Sequence, residues 1–524
     1  MLPLLLAIAI TTVAENQKPG TPDWELTDPA EAREIEGYAS ATSVNGGDPI
    51  ELFVHTTAAR YVIDVFRMGW YGGAGARRVA GPIERAGIAQ AVPAPDAVTG
   101  LVECDWRDPY RLETGDAAGA WTTGVYLARL TMLPGARGGG PRKQSFIVFV
   151  VRDDAREAAV VFQSSVTTFA AYNNWGGKSL YDFNSGAAPA RKVSFNRPYA
   201  VNPYGVRLDG ASDFLRRWEY NAVRFLEREG YDLTYLTDVD THQRDVPAGA
   251  RIFLSVGHDE YWSWAMREHV EAARNRGVHL AFLGADACFW QIRFEPDPRG
   301  APDRTIVAYK EAAGDLDPLA IDREPQNNRL ITGRWRDRPT SRPEERLIGV
   351  MYAADPVDAD IIVSNASHWV FAGTGLRNGD ALRGLLGYEV DASYGGGPAT
   401  LEHLAHSPFV DRGGPAEKTA ETRHADMTIY TAASGALVFA TGSIQWSWGL
   451  DGYNAPAWHT LRVSEAAQRI TRNVLGRMLQ GAARPRGQSG ARPSPIVAIA
   501  AVIAAAFVLR AWLNRPGRNR VGSR

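Results

Sequence analysis

The stretch Arg251-Ile252-Phe253-Leu254-Ser255-Val256-Gly257-His258-Asp259-Glu260-Tyr261-Trp262-Ser263 decides how this chain is read. Arg251 to Val256 is an apolar run of strand length. A helical pattern follows from Tyr261 to Gly277, and Val278 to Leu283 is again short and apolar. Strand, helix and strand in that order predict a βαβ unit, with parallel strands in a sheet covered on both faces. Open sheets of this kind hold their ligands at the carboxyl ends of the strands. His258 and Glu260 fall at such an end, and continued extended backbone would turn both side chains to one face.

Outward from this unit, the same alternation predicts a strand at Ala158 to Gln163, an amphipathic helix from Ser212 to Gly230 and a strand at Tyr231 to Leu236. Residues 296–346, rich in Pro, Arg and Asp, read as a surface excursion. Alternation resumes at Asp360 to Ser364, Thr428 to Tyr430 and Ala436 to Thr441, and Ser464 to Gln480 reads as a closing helix. Before Asp154 the period is different. Ile50 to Thr56, Tyr61 to Arg67, Trp121 to Met132 and Gln144 to Val151 are β-rich runs separated by glycine and proline turns. The expected fold class is therefore an all-β sandwich over 36–153, followed by an α/β domain with a parallel sheet over 154–480.

Both ends read as membrane-handling segments. Residues 1–14 are apolar and close on small residues, as a signal peptide does, with a leader over 15–35. Residues 481–494 read as a linker, 495–513 as a transmembrane helix and 514–524 as a basic cytoplasmic tail. The expectation is a single-pass protein of the cell membrane with its body outside the cytoplasm. The alternative for 495–513 is an amphipathic or buried terminal helix.

Charge is nearly balanced, with 57 Lys and Arg against 59 Asp and Glu, which argues against a general nucleic-acid binder. The 2 cysteines, Cys104 and Cys288, lie in segments assigned to different domains, and a disulfide between them stays open. No Cys/His spacing of a zinc site occurs.

Four segments of the α/β part can carry chemistry: Thr168 to Asp182, His258-Asp259-Glu260, Gly284 to Trp290 and Gly387 to Asp391. They supply tyrosines, a histidine and carboxylates. Phenolate and carboxylate oxygens suit a hard cation. Two tyrosinates and one glutamate would neutralise Fe(III). Tyrosine has a pKa of ~10 in water, so only a strongly polarising ion would hold two of them ionised near neutrality.

The ordered set RMGWYGG (67–73), TTGVYLARL (122–130), YNNWGGKSLYDFN (172–184), VSFNRPY (193–199), FLEREGYDLTYLTDVDTH (225–242), GHDEYWS (257–263), LGADACFWQIRFE (283–295) and GYEVD (387–391) resembles the N,N-dimethylformamidase large (beta) subunit family over roughly residues 36–475. The resemblance implies a class I glutamine amidotransferase-like α/β fold and hydrolysis of linear amide C–N bonds. It implies a mononuclear iron held by Tyr172, Tyr181 and Glu260, with Zn or Mn as open alternatives. It puts His258 beside the metal and Glu389 as the catalytic carboxylate. Asp286 falls where the family carries an asparagine. That departure matters, because an ionised carboxylate accepts hydrogen bonds and cannot donate one. Either Asp286 is protonated, or the substrate differs from a simple formamide, or Asp286 has another role. Cys288 lacks the flanking glycines of a nucleophile elbow and reads as a core residue. The implied partners are a small amide substrate and the membrane. A small partner subunit and a homo-oligomer stay open.

Each of these residues also has a plainer reading. Tyr172 and Tyr181 are packing tyrosines, His258 a structural histidine, Glu260 a cap of the helix that follows, and Glu389 a surface carboxylate. The expected anchor and the Asp286 change also admit an alternative function, a non-catalytic cell-surface binding protein built on the same fold, whose sandwich recognises envelope glycan or protein.

Overall fold

The computed structural model describes residues 11–117, 119–134, 142–186, 188–200, 209–411, 421–455 and 463–480. The linker, transmembrane and tail segments expected over 481–524, and residues 1–10 of the expected signal peptide, lie outside the described residues.

Two main sheets form the amino-terminal part. A three-stranded antiparallel sheet has Ile35–Ala39, Pro49–Thr56 and Tyr110–Glu113, in that order. A five-stranded sheet contains Arg60–Met68, Ala76–Ala86, Gly124–Met132 and Gln144–Arg152, with the short strand Ser43–Asn45 added in parallel. Their facing side chains, including Ile35, Ile50, Leu52, Ile63, Tyr126 and Phe149, make one apolar core. Beneath it, a second core runs without a break from Phe66, Leu127 and Phe146 into Phe162, Leu226 and Leu254 of the following sheet. A fully buried ion pair crosses the same boundary. Arg67 reaches Glu227 with Nη2 at 2.7 Å from Oε1 and Nη1 at 3.2 Å from Oε2. Removing one partner would leave an uncompensated buried charge.

The following sheet corrects the expected fold class. It has seven strands in the order Leu233–Thr237, Val160–Ser164, Ile252–His258, His279–Ala285, Leu437–Ala440, Glu421–Thr431, Glu402–Asp411. The first five are parallel. The last two are antiparallel, so the sheet is mixed. A long antiparallel ribbon, Met351–Ile362 with Ala381–Ala392, adds further strand. The chain is thus mostly β-rich with mixed sheets, and the all-parallel α/β expectation does not hold. The reason lies in the added strands. Glu402–Asp411 alternates buried and exposed positions and carries charged residues, a pattern far weaker than a buried parallel strand gives.

The expected single-pass membrane arrangement is also corrected. Among the described residues no helix is long and apolar enough to cross a membrane. The closing helix Glu465–Gln480 buries only one stripe, Ala467, Ile470, Val474, Leu475 and Met478.

Three local differences shape the site. The expected helix from Ser212 to Gly230 is two, Ser212–Arg216 and Glu219–Arg228, broken at Trp218. Tyr261–Ser263 is a short strand paired with Trp290–Ile292, and the helix begins only at Trp264 with Ser263 as its cap. Residues 296–346 are no mere excursion: Thr305–Val307 is a sheet strand and Trp335 is fully buried.

Candidate active site

Glycine places the central segment. Gly257 has φ +69, and a Cβ there would stand 2.2 Å from Trp218 Cβ. A Cβ on Gly284, on the neighbouring strand, would stand 2.1 Å from Gly257 O. The two strand ends therefore approach more closely than side chains permit. Past this kink, alternation sends Asp259 one way and His258 and Glu260 the other. Asp259 is an anchor: it accepts from Gln163 Nε2 (2.9 Å), Ser255 Oγ (2.8 Å) and Trp262 Nε1 (2.8 Å). Glu260 is fixed by its backbone. Its N–H donates to Thr168 Oγ1 at 3.0 Å, and its carbonyl accepts from Phe289 and Trp290 at 2.9 and 3.0 Å. It does not cap the helix, because that place belongs to Ser263.

Both expected tyrosines meet this carboxylate. Tyr172, the last residue of the helix Val166–Tyr172, donates to Glu260 Oε2 at 2.9 Å. Tyr181 reaches Oε1 at 2.9 Å and Oε2 at 3.0 Å. Their rings stack with centroids 4.2 Å apart. Between them the turn at Gly176 (φ +76) and Gly177 (φ +86) folds the chain back. His258 Nε2 stands 3.2 Å from Glu260 Oε2, 3.1 Å from Glu389 Oε2 and 4.0 Å from Asp286 Oδ2. Glu389 arrives on the ribbon strand Ala381–Ala392, not on the parallel sheet. All six candidate residues are thus gathered in one place.

Several polar atoms here lack a well-formed partner. His258 Nε2, Glu389 Oε2 and Asp286 Oδ1 are buried without a hydrogen bond of good geometry. The 3.1 Å approach of His258 to Glu389 is close in distance but off the directions a hydrogen bond needs. Buried polar atoms left so are costly, and each calls for a partner. Asp286 (φ +53) and Cys288 (φ +57) hold left-handed backbone in the turn that carries Asp286, the sort of strain that collects at functional sites. Cys288 itself is fully buried, burial pushes its thiol up, and both cysteines are free.

Electrostatics sharpen the picture. Burial, then the Glu260 charge, pushes the phenols of Tyr172 and Tyr181 far above the usual tyrosine range. Burial also acts to raise Glu260, but His258 and then Lys310 pull it below the ordinary value. Burial opposes charge on His258, yet Glu389 and Glu260 hold it well up. Burial raises Glu389 against the pull of His258. Asp286 is pushed well up by burial and by Glu260, Glu389 and Asp391, and a carboxyl kept protonated has an O–H to donate.

Four further residues border the site that the sequence did not single out individually. Tyr261 donates to Tyr181 OH at 2.6 Å. Lys310 Nζ lies 3.5 Å from the centre of the Tyr181 ring. Asp391 accepts the Asp286 N–H at 2.8 Å, and burial pushes it up to about 7. Beneath the strand ends Glu219 accepts from Ser164 Oγ and Ser165 N, both at 2.7 Å, and burial pushes it up to about 8. Only Asp391 was within reach of pattern reading, since it shares a strand face with Glu389 two residues away.

The donors fit a metal ion in two overlapping sets. Tyr172, Tyr181 and Glu260 bring three oxygens together. His258, Glu260 and Asp286 place their ligand atoms within 4.8 Å of one another. Glu260 belongs to both.

Comparison with known proteins supplies a family. The chain is 24% identical over 348 residues to the N,N-dimethylformamidase beta subunit of Paracoccus aminophilus, an alignment covering 59% of this chain and 43% of that protein. The chain therefore spans less than half the length of that relative. Residues 62–459 match the family model described as N,N-dimethylformamidase beta subunit-like, C-terminal. Most of the sandwich and every candidate site residue fall inside that match, and the chain belongs to the N,N-dimethylformamidase beta subunit-like family.

Proposed function

We propose that the chain is a metal-dependent hydrolase of linear amide C–N bonds, with Tyr172, Tyr181 and Glu260 as the metal ligands and iron as the metal. One observation carries the reading: two buried phenol oxygens meet one buried carboxylate, beside a histidine and two carboxyl groups with unpartnered atoms. Family membership supports the reaction class. Burial and Glu260 keep both phenols protonated unless a strongly polarising cation displaces the protons. Three anionic oxygens favour a trivalent ion over a divalent one.

When bound, the ion would serve as a Lewis acid toward the amide carbonyl or a water. The chain's own groups do the rest. Glu389 Oε2 takes a proton from the water that attacks the carbonyl carbon. It returns that proton to the nitrogen as the C–N bond breaks, giving a carboxylic acid and an amine. His258, with Nε2 3.2 Å from Glu260 Oε2 and 3.1 Å from Glu389 Oε2, offsets the charge of the two carboxylates. Asp286, whose N–H is held by Asp391, would offer its unpartnered Oδ1 to a polar atom of the substrate. Lys310 adds positive charge at the Tyr181 face. A second subunit belongs to the same proposal, on the strength of the relative's name as a beta subunit.

The test is a panel of formamides and small amides given to the purified, iron-supplemented protein, with acid and amine release measured. Hydrolysis by the native chain and none by Glu389→Gln, both holding equal metal, is the expected result. Equal hydrolysis by both would overturn the role of Glu389.

A further inference from the structure

A second group of metal-ligating side chains converges on the outer hairpin of the seven-stranded sheet. His424 and Asp426 stand two residues apart on Glu421–Thr431, so their side chains leave one face of the strand. His406, on Glu402–Asp411, is the register partner of Asp426 across the hairpin. His406 Nδ1 is 2.7 Å from Asp426 Oδ1, and His424 Nε2 is 3.4 Å from Asp426 Oδ2. The two imidazoles are 4.6 Å apart between centroids. Ligand atoms of all three residues lie within 4.8 Å of one another.

We propose that His406, His424 and Asp426 form a second metal site, taking one divalent ion of the zinc type, separate from the active-site oxygens. Two imidazole nitrogens and one carboxylate are a zinc donor set with a position left open. Nitrogen donors select zinc and its transition-metal neighbours over magnesium or calcium. The carboxylate is already oriented: Ser393 N–H donates to Asp426 Oδ2 at 2.9 Å, the kind of outer contact that fixes a metal ligand. Burial is graded in the same sense. The Asp426 side chain is 1% exposed, whereas His424 and His406 are 38% and 54% exposed and open to water. Plain hydrogen bonding accounts for one histidine on this carboxylate. A second ring packed against the first is not explained that way, and a cation shared by both rings and the carboxylate explains it. Ser393 lies two residues beyond Asp391, so the ion would brace the end of the strand that carries Glu389.

Equilibrium dialysis of the full chain against Zn(II) tests the proposal, with Co(II) absorption as a second readout. The double variant His406→Ala/His424→Asn changes only partly exposed side chains, and circular dichroism checks its fold. The wild type should bind one more Zn(II) than the double variant, with affinity at that site falling about tenfold or more. Zn(II) should raise the Tm of the wild type more than that of the double variant. Glu260→Ala should keep the hairpin ion. Should Glu260→Ala fail to fold, the wild type against the double variant decides alone. Equal Zn(II) stoichiometry and affinity in those two proteins would overturn the site.

Discussion

His258, Glu260 and Asp286 hang from the carboxyl ends of neighbouring parallel strands, whereas Glu389 and Asp391 arrive on an antiparallel ribbon inserted after the fourth strand of that parallel set. The first group is held by the backbone: close glycine contacts, the Glu260 carbonyl and the Asp259 anchor fix where its side chains leave. The second is held by the ribbon's own ladder and by a turn rather than a neighbouring strand end: Asp391 N–H donates to the Gly442 carbonyl at 3.1 Å, and the Glu389 carbonyl accepts from Ile444 N–H at 3.2 Å. The contrast suggests a division of labour. In the proposed reaction the strand ends supply the converging ligands, and the added ribbon brings the carboxylate that moves the proton.

The largest expected effect comes from Glu260→Ala. It should remove bound metal and lower turnover by roughly 10⁴-fold or more, read by metal analysis and amide hydrolysis. Glu389→Gln should lower kcat by about 10²–10⁴-fold with metal content unchanged. If it strips the metal as well, the two groups form one ligand set and the division fails. Gly257→Ala probes the strand-end geometry itself. A Cβ 2.2 Å from Trp218 Cβ at φ +69 should cost about 3 kcal/mol or more in urea unfolding. A neutral result would mean that the close approach is dispensable.

Glu219 tests the support under the strand ends through pH. Its carboxyl sits at about 8 when folded, against ~4.3 for an unfolded glutamate. The folded state keeps a proton that the unfolded state gives up, so stability falls as pH rises from about 4 to about 8. Glu219→Gln removes that loss. Its stability relative to wild type should improve by up to about 3 kcal/mol between pH 5 and pH 8, and a pH-independent difference would contradict the assignment. The smallest effect is Tyr261→Phe, which deletes the 2.6 Å hydrogen bond to Tyr181. Metal affinity should drop about tenfold with the fold intact.

Legibility followed the same division. Strand-end residues could be read because a buried parallel strand is a dense apolar run, and the residues after it inherit a position. His258, Glu260 and Asp286 were found that way. Alternation also matched the meeting of His258 with Glu260, although the Gly257 kink precedes it. Of the ribbon and hairpin strands only the pieces Asp360 to Ser364 and Thr428 to Tyr430 were read; Glu402–Asp411 was missed because half its positions face water. Tyr261 was hidden inside a helical pattern that begins three residues later than its apolar periodicity suggests. Lys310 sits in a Pro- and Arg-rich stretch with no period at all, and only the fold brings it to Tyr181. The break at Trp218 has no local breaker. It follows from packing against Gly257, a contact distant in sequence.

In the proposed function Tyr172, Tyr181 and Glu260 hold a hydrolytic iron. Metal analysis of the purified, iron-supplemented protein with a visible spectrum tests it most directly. About one iron per chain with a tyrosinate-to-Fe(III) charge-transfer band, lost in Tyr181→Phe or Glu260→Ala, is the predicted result. A folded protein that takes up no metal under anaerobic and iron-supplemented preparation alike would contradict it.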